Sequence, residues 1–395
     1  VDYKKQSRRK PITGRVDPWL LMTTILLAGI GLVMVYSASF IRADAQYGSP
    51  LFFLKRQILW IILGVVIMLL TGRINYRILA DKRVAFGLTI ATFLMLIAVY
   101  LPPFGQLIAK THRWLKFGFI QFQPAELAKL TTVIWLAYIA NAQKDAIRSL
   151  KDGVLPMALT PIIFMLLIVP QPDLGSCVII GSMLIVMLYV AGTKIWYIGS
   201  AGLAGVLGMV IAVIAEPYRV QRVLTFLNPW ADKQGKGYQI VQSLIAFGAG
   251  GVSGLGLGNG RQKLFYLPAP HTDFILANVG EELGLIGVTV LFALFAFLLY
   301  RAFSIAVRIT DRFGMLLATG LSCMLGFQIV INAMVVMSLL PNKGLALPFL
   351  SYGGSSALIN FAAIGLLLSV SRAVDIQEQE THRRTQIAQI GEVAL

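Results

Sequence analysis

Residues 215–275 read AEPYRVQRVLTFLNPWADKQGKGYQIVQSLIAFGAGGVSGLGLGNGRQKLFYLPAPHTDFI. On both sides of this stretch the chain alternates between apolar runs long enough to cross a bilayer and short connections. Here the alternation stops for about sixty polar, glycine-rich residues that hold six lysines and arginines. The stretch ends in His271-Thr272-Asp273, where the next apolar run begins. An ionisable group at a membrane boundary, beside a basic loop, is the first place to look for chemistry.

The composition fits that reading. The 395 residues are 57% hydrophobic and only 13% charged, with a mean hydropathy of +0.76. Soluble domains carry about 25% charged residues, so a soluble globular chain is excluded. Apolar runs of roughly 18 residues or more recur, the signal of spanning helices. The net charge of +16 is scattered between these runs rather than gathered on one domain. It therefore points to membrane topology and anionic membrane lipids, not to nucleic acid. Cys177 and Cys323 both fall inside apolar runs and give no disulfide or metal spacing. The basic start VDYKKQSRRK reads as the flank of an anchored first span rather than as a removed signal peptide.

The expected fold is an all-α integral membrane protein of about ten transmembrane helices, with a large extracytoplasmic loop between spans seven and eight. The spans fall near 19–40, 57–71, 84–101, 124–142, 154–169, 174–192, 195–215, 274–300, 315–339 and 355–370. An even number puts both termini on one side. The terminus side carries 20 lysines and arginines against 13, or against 7 without the long loop, which is a poor topological vote. Both termini are thus expected in the cytoplasm. Residues 1–17 form a basic tail, 18–373 the membrane domain with its loop near 215–275, and 374–395 a polar, mobile cytoplasmic tail.

Three extracytoplasmic stretches hold candidate residues. In HRWLKFGFIQFQPAELAKL (112–130), Arg113-Trp114 sits in a loop and Gln123-Pro124 opens span four, with proline at the first helical position. Glu126 and Lys129 have the spacing of a helical ion pair. Lys129 is then either a local partner of Glu126 or a cation facing an outer cavity, where it could hold a phosphate. In residues 237–273, QIVQSLIAFGAGGV is too short to span and reads as an interfacial or re-entrant helix. The glycines from Gly248 to Gly260 form either a flexible loop or an anion nest, with Arg261 and Lys263 suited to a pyrophosphate. Asp273 either caps span eight or serves as an ionised general base, and the two are compatible. Glu281 and Glu282 read as structural acids that could pair with a lysine such as Lys129. In NKGLALPFLSYGGSS (342–356), the serines read as caps of span ten after a tight turn, and Lys343 as a lone cation facing the outer cavity. Asp173 in PQPDLG most simply caps span six. Physics alone gives an outer cavity suited to an anionic, lipid-linked substrate, which a transporter or a transferase could use.

The segments RWLKFGFIQFQPAELAKL, PQPDLGS, GYQIVQSLIAFGAGGVSGLGLGNGRQKLFYLPAPHTDFILANVGEELGLIG and NKGLALPFLSYGGSS, in this order, resemble the SEDS family of bacterial cell-wall polymerases. The similarity runs from the first span to about Ala373. The unextended GLGLGNGRQKLFYLPAPHTDF and the lysine of PNKGLALPF are more similar to the cell-division branch than to the elongation branch; a sporulation-type member stays open. The resemblance implies a peptidoglycan glycosyltransferase of the bacterial cytoplasmic (inner) membrane that polymerises lipid II into β-1,4 glycan strands. Asp273 matches the family's essential aspartate. Arg113, Trp114, Glu126, Lys129, Arg261, Lys263, His271, Lys343 and Ser351 then become candidates for binding substrate, Trp114 by packing a sugar face. A divalent cation, Mg or Mn, could assist at the pyrophosphate, although no ligand cluster demands one. The implied partners are a class B penicillin-binding protein and regulators of the division machinery. Two departures stand out: Ala269 replaces a carboxylate common before HTD, and Ala125 replaces a serine.

A lipid II flippase is the main alternative, and a scaffold that only recruits the penicillin-binding protein a third. A flippase would place its essential polar groups at the midplane and cytoplasmic face, whereas the candidates here cluster outside.

Overall fold

The computed structural model describes residues 14–393, except 103, 109, 110, 118, 119 and 236. Asp17 opens helix α1 (Pro18–Tyr47) by accepting the Leu20 N–H at 2.9 Å, and Gly48 closes it with φ +64°. Helices α2 (Phe52–Arg73) and α3 (Lys82–Ala98) follow. A three-stranded antiparallel sheet comes next, β1 (Gly105–Ile108), β2 (Thr111–Phe117) and β3 (Ile120–Phe122), in the order β1-β2-β3. Then come α4 (Pro124–Ala142), α5 (Leu155–Ile168), α6 (Leu174–Ala191) and α7 (Ile195–Ile214). The long connection holds two short helices, α8 (Pro217–Leu227) and α9 (Tyr238–Gly250). Helices α10 (Ile275–Arg308), α11 (Arg312–Val336) and α12 (Gly354–Val393) complete the chain.

Each segment read as a span is helical. Eight helices among the described residues are long and apolar enough to cross a membrane. Helix α3, with 17 residues, and α4, with Glu126 and Lys129 near its start, fall short of that measure. Both still pack into the bundle, and α4 is buried on nearly every side. By contrast, α7 has no buried residue and carries apolar side chains all round, as a helix facing lipid does. Helices α2 and α12 pack closely because glycines let them: a Cβ at Gly64 would strike the Phe361 ring, and one at Gly365 would strike Thr71.

Three features depart from the sequence reading. The loop between spans three and four contains the small sheet, whose alternation is hidden because β1 and β3 are short and β2 is bulged at Arg113. The segment Pro217–Leu227, read as loop because it is polar, is a helix. And α12 does not stop near Val370. Its glutamine- and glutamate-rich continuation favours helix, and its early turns are tied to the bundle by a bidentate Arg308–Glu378 pair and by Gln377 bonding to Thr310.

The glycine-rich segment is explained by a break in α10. Gly284 adopts φ +64°, ψ −164°, which interrupts the helix. The freed backbone groups pair with the loop: Leu255 and Gly256 donate to the Glu281 and Glu282 carbonyls, while Leu285 and Ile286 donate to Gly251 and Val252. This approach tolerates no side chain at Gly254, where φ is +80° and a Cβ would lie 2.2 Å from the Glu282 carbonyl oxygen. The loop is thus a plug for a broken membrane helix.

Candidate active site

Connections at one end of the bundle surround a cavity of about 430 Å³. Its charged lining is Arg113 from β2, Asp173 at the start of α6, Arg219 and Arg222 from α8, Asp273 before α10 and Lys343 after α11. Four cations thus face two carboxylates, a surplus that suits a dianionic ligand.

Asp273 precedes α10 but does not cap it. The cap position is Phe274, with no side-chain bond, so the expected capping role fails. Its carboxylate accepts no hydrogen bond from the described residues and faces the cavity. Gly344 lies against it, and a Cβ there would come within 2.8 Å of Asp273 Oδ2. Burial raises its pKa to about 6, Asp173 adds to the rise, and Arg113 and Arg222 oppose it. Burial likewise lowers the pKa of Lys343, an effect partly offset by Asp173.

A break in strand alternation aims Arg113. It is the extra residue of a β-bulge, since Gln106 pairs with Trp114 and Leu107 with His112, so the alternation of β2 is broken at Arg113. Its Nε and Nη2 donate to the Gln171 and Pro172 carbonyls at 2.5 and 2.6 Å. Asp173 caps α6, as expected, accepting Ser176 N–H at 3.1 Å and Ser176 Oγ at 2.8 Å. It also accepts Gln123 Nε2 at 3.0 Å. Arg219 and Arg222 were not singled out by the sequence reading. Proline at the first turn of α8, with cations three residues apart, was the signal available. Arg219 donates to the Ala212 and Val169 carbonyls, both at 2.7 Å, and Arg222 to the Asn342 carbonyl at 3.0 Å. Arg222 also packs over the Tyr218 ring at 4.5 Å.

Several expected site residues lie elsewhere. Lys129 is fully buried and pairs with Glu126 at 2.8 Å and Gln328 at 3.3 Å, so it is the local partner and not a cavity cation. Lys263 pairs with Glu282 at 2.8 Å and donates to the Gly258 carbonyl at 2.5 Å. Glu282 therefore pairs with Lys263 and not with Lys129. The anion nest exists, but the chain's own acids fill it. Gly258 N–H donates to Glu282 at 2.9 Å and Arg261 N–H to Glu281 at 2.7 Å. The Arg261 side chain is exposed, and neither it nor Trp114 lines the cavity.

His271 is buried against Phe53, with ring centroids 4.3 Å apart, and Tyr352. Burial, helped by Arg42, lowers its pKa to about 4, which keeps it neutral. Ser351 is buried with its hydroxyl accepting Leu347 N–H at 2.9 Å; it closes the turn and does not cap α12. Ser355 Oγ instead accepts Gln123 N–H at 3.0 Å.

For a resident divalent cation the donor set does not fit. Among the described residues no group of three or more His, Cys, Asp or Glu could hold a metal ion. In the cavity Asp173 is committed to Ser176 and Gln123, and the remaining charged groups besides Asp273 are cations.

With this geometry in view, comparison with known proteins is informative. The family described as "Cell cycle protein", spanning FtsW, RodA and SpoVE, matches residues 18–376. The chain belongs to this family. The probable peptidoglycan glycosyltransferase FtsW of Trichlorobacter lovleyi is 41% identical over 369 residues, 93% of this chain and 96% of that protein. Stage V sporulation protein E of Bacillus subtilis is 41% identical over 356 residues, 90% of this chain and 97% of that protein. A solved structure described as showing structural coordination of polymerization and crosslinking by a peptidoglycan synthase complex contains a chain 31% identical to this one. It superposes with a TM-score of 0.74 over 91% of this chain and 98% of that one. RodA of Thermus thermophilus, 29% identical, superposes with a TM-score of 0.66 over 90% and 97%. The integral-membrane SEDS architecture expected from the motifs is therefore the right one; the 41% identity to the Trichlorobacter FtsW equals that to the sporulation protein and exceeds the 29% to the Thermus RodA.

Proposed function

We propose that this SEDS-family chain is a peptidoglycan glycosyltransferase that polymerises lipid II, acting in septal cell-wall synthesis. The observation that carries the reading is Asp273. It is a carboxylate without a hydrogen-bond partner among the described residues, raised to a pKa of about 6 and set in a cavity rich in cations. A base with that pKa is ionised at neutral pH yet still a competent proton acceptor. Asp273 takes the proton from the 4-hydroxyl of the acceptor sugar as that oxygen attacks the donor's anomeric carbon. The bond to undecaprenyl pyrophosphate breaks, and the configuration inverts to a β-1,4 linkage. Lys343 and Arg222, with Arg113 and Arg219 behind them, hold the pyrophosphate and stabilise the charge that grows on it. Three of these cations are partly spent on backbone carbonyls; Lys343 has no hydrogen-bond partner among the described residues.

The site sits in the bacterial cytoplasmic membrane, facing outward, with both termini in the cytoplasm. A class B penicillin-binding protein crosslinks the strand it makes, and division regulators act on the pair. A flippase reading is less well supported, because the candidate charges line a cavity at one end of the bundle.

The test is glycan-strand formation from lipid II by the purified full chain, alone and with its penicillin-binding partner. Wild type is expected to make polymer, and Asp273→Asn, folded by thermal melting, to lose on the order of 10²–10⁴-fold in turnover. Equal activity would remove Asp273 from the mechanism. Lipid II translocation in vesicles without polymer would favour the flippase.

A further inference from the structure

Among the described residues no hydrogen bond holds the Asp273 carboxylate, so its place is set through its backbone. One side chain reaches that backbone from another element. Asn332, one turn before the end of α11 and 1% exposed, donates from Nδ2 to the Asp273 carbonyl at 3.0 Å. The same nitrogen donates to the Leu345 carbonyl at 2.6 Å. Two carbonyl acceptors leave no choice of orientation: the amide must present its NH₂ to both. Leu345 in turn donates its N–H to the Lys343 carbonyl at 2.9 Å, closing a tight turn. A single buried amide thus bridges the segment that carries Asp273 and the one that carries Lys343. The two segments also meet where Tyr352 N–H donates to the His271 carbonyl at 2.9 Å, a backbone tether that no side-chain substitution removes.

We infer that Asn332 is a positioning residue for the transfer reaction, fixing the spacing between Asp273 and Lys343 across the cavity. The inference rests on the glycosyltransferase reading above. Its physical basis is that base and leaving-group clamp act on opposite ends of one displacement, so their separation enters the barrier directly. A misplacement of about 1 Å can cost on the order of 10²-fold in rate. Asn332 does not line the cavity, so substrate need not feel its loss in the ground state.

The experiment compares Asn332→Leu, alike in branching and unable to donate, with Asn332→Ser, which restores at most one donation. Lipid II polymerisation by the purified full chain is normalised to folded protein, with Asp273→Asn alongside. Asn332→Leu is expected to lose on the order of 10²-fold in kcat while KM for lipid II stays within about threefold. Asn332→Ser should fall between it and wild type. The acid limb of the pH–rate profile should also shift in Asn332→Leu. Arg113, Asp173, Arg219, Arg222 and Lys343 line the cavity with Asp273, and a carboxylate moved from its place changes both the burial that raises its pKa and its distance from the two arginines that oppose the rise. A packing role would alter melting but not this limb. Wild-type kcat and an unmoved acid limb in folded Asn332→Leu would overturn the inference alone. Full activity in Asp273→Asn would overturn the general-base reading and this inference with it.

Discussion

Two regions of this molecule gather cations and carboxylates, and they use them in opposite ways. Around Gly258 the charges close on each other. Glu281 and Glu282 fill the nest of N–H groups, and Lys263 neutralises Glu282 at 2.8 Å while Ser37 donates to the same carboxylate at 2.6 and 2.8 Å. Around Asp273 the charges stay open to a cavity of about 430 Å³, and both Asp273 and Lys343 lack hydrogen-bond partners among the described residues. From sequence the first region was as attractive a pyrophosphate site as the second. Partnership separates them: a buried charge whose bonds are all satisfied builds structure, and one held without a partner is available to a ligand.

The largest effect that sharpens this contrast lies in the closed region. Lys263→Met leaves Glu282 buried without its cation and is expected to cost about 3–5 kcal/mol of stability. Thermal melting of the purified protein measures it. Because Lys263 does not line the cavity, lipid II turnover per folded molecule should stay within about threefold of wild type. Pairing it with Glu282→Gln should recover much of the lost stability, since no unpaired charge remains. A variant with normal melting but no turnover would break the comparison and return Lys263 to the site.

In the open region the matching change is Lys343→Gln. No intramolecular bond is lost, so melting should hardly move or should improve, burial having already disfavoured the ammonium. A charge-assisted hydrogen bond to pyrophosphate is worth about 1.5–3 kcal/mol. The expected loss is therefore about 10–100-fold in kcat/KM for lipid II. Unchanged kinetics would mean that Arg222 and its neighbours carry the leaving group without it.

Much of this was legible in the chain, and what was not has physical reasons. The membrane helices were visible because burial in lipid needs long apolar runs, and the Glu126–Lys129 pair because helical spacing makes it local. Asp273 stood out as an acid at a membrane boundary. Its failure to cap α10 was not visible, since capping depends on one backbone turn at Phe274. Lys263 and Glu282 lie 19 residues apart in sequence, and only the break at Gly284 brings their segments together. Arg219 and Arg222 were hidden by composition: an 11-residue helix with polar and apolar faces looks like loop when its residues are only counted. Trp114 and Arg113 are adjacent in sequence yet only Arg113 lines the cavity, and the bulge that sets it apart is readable only once the strand pairing is known.

The smallest effect concerns Asp273 itself and joins the two halves of the comparison, because an unpartnered charge should cost stability as well as serve function. Its folded pKa of about 6 lies above the roughly 3.9 of an unfolded aspartate. Between those values the folded protein holds the proton more tightly, so stability falls as pH rises from about 4 to 6 and stays lower above it. Asparagine carries no charge to desolvate. Asp273→Asn should therefore melt higher than wild type at pH 7.5, by about 1–2 kcal/mol once the open cavity's screening is allowed for, and the gap should close below pH 4. Wild-type turnover should fall on its acid side near pH 6, the same pKa seen from the other direction. Melting curves of the two proteins across pH 4–8, set beside the pH–rate profile, measure both at once. A lower melting temperature for Asp273→Asn at pH 7.5 would show that the carboxylate does have a stabilising partner, and the line drawn between the two regions would fall.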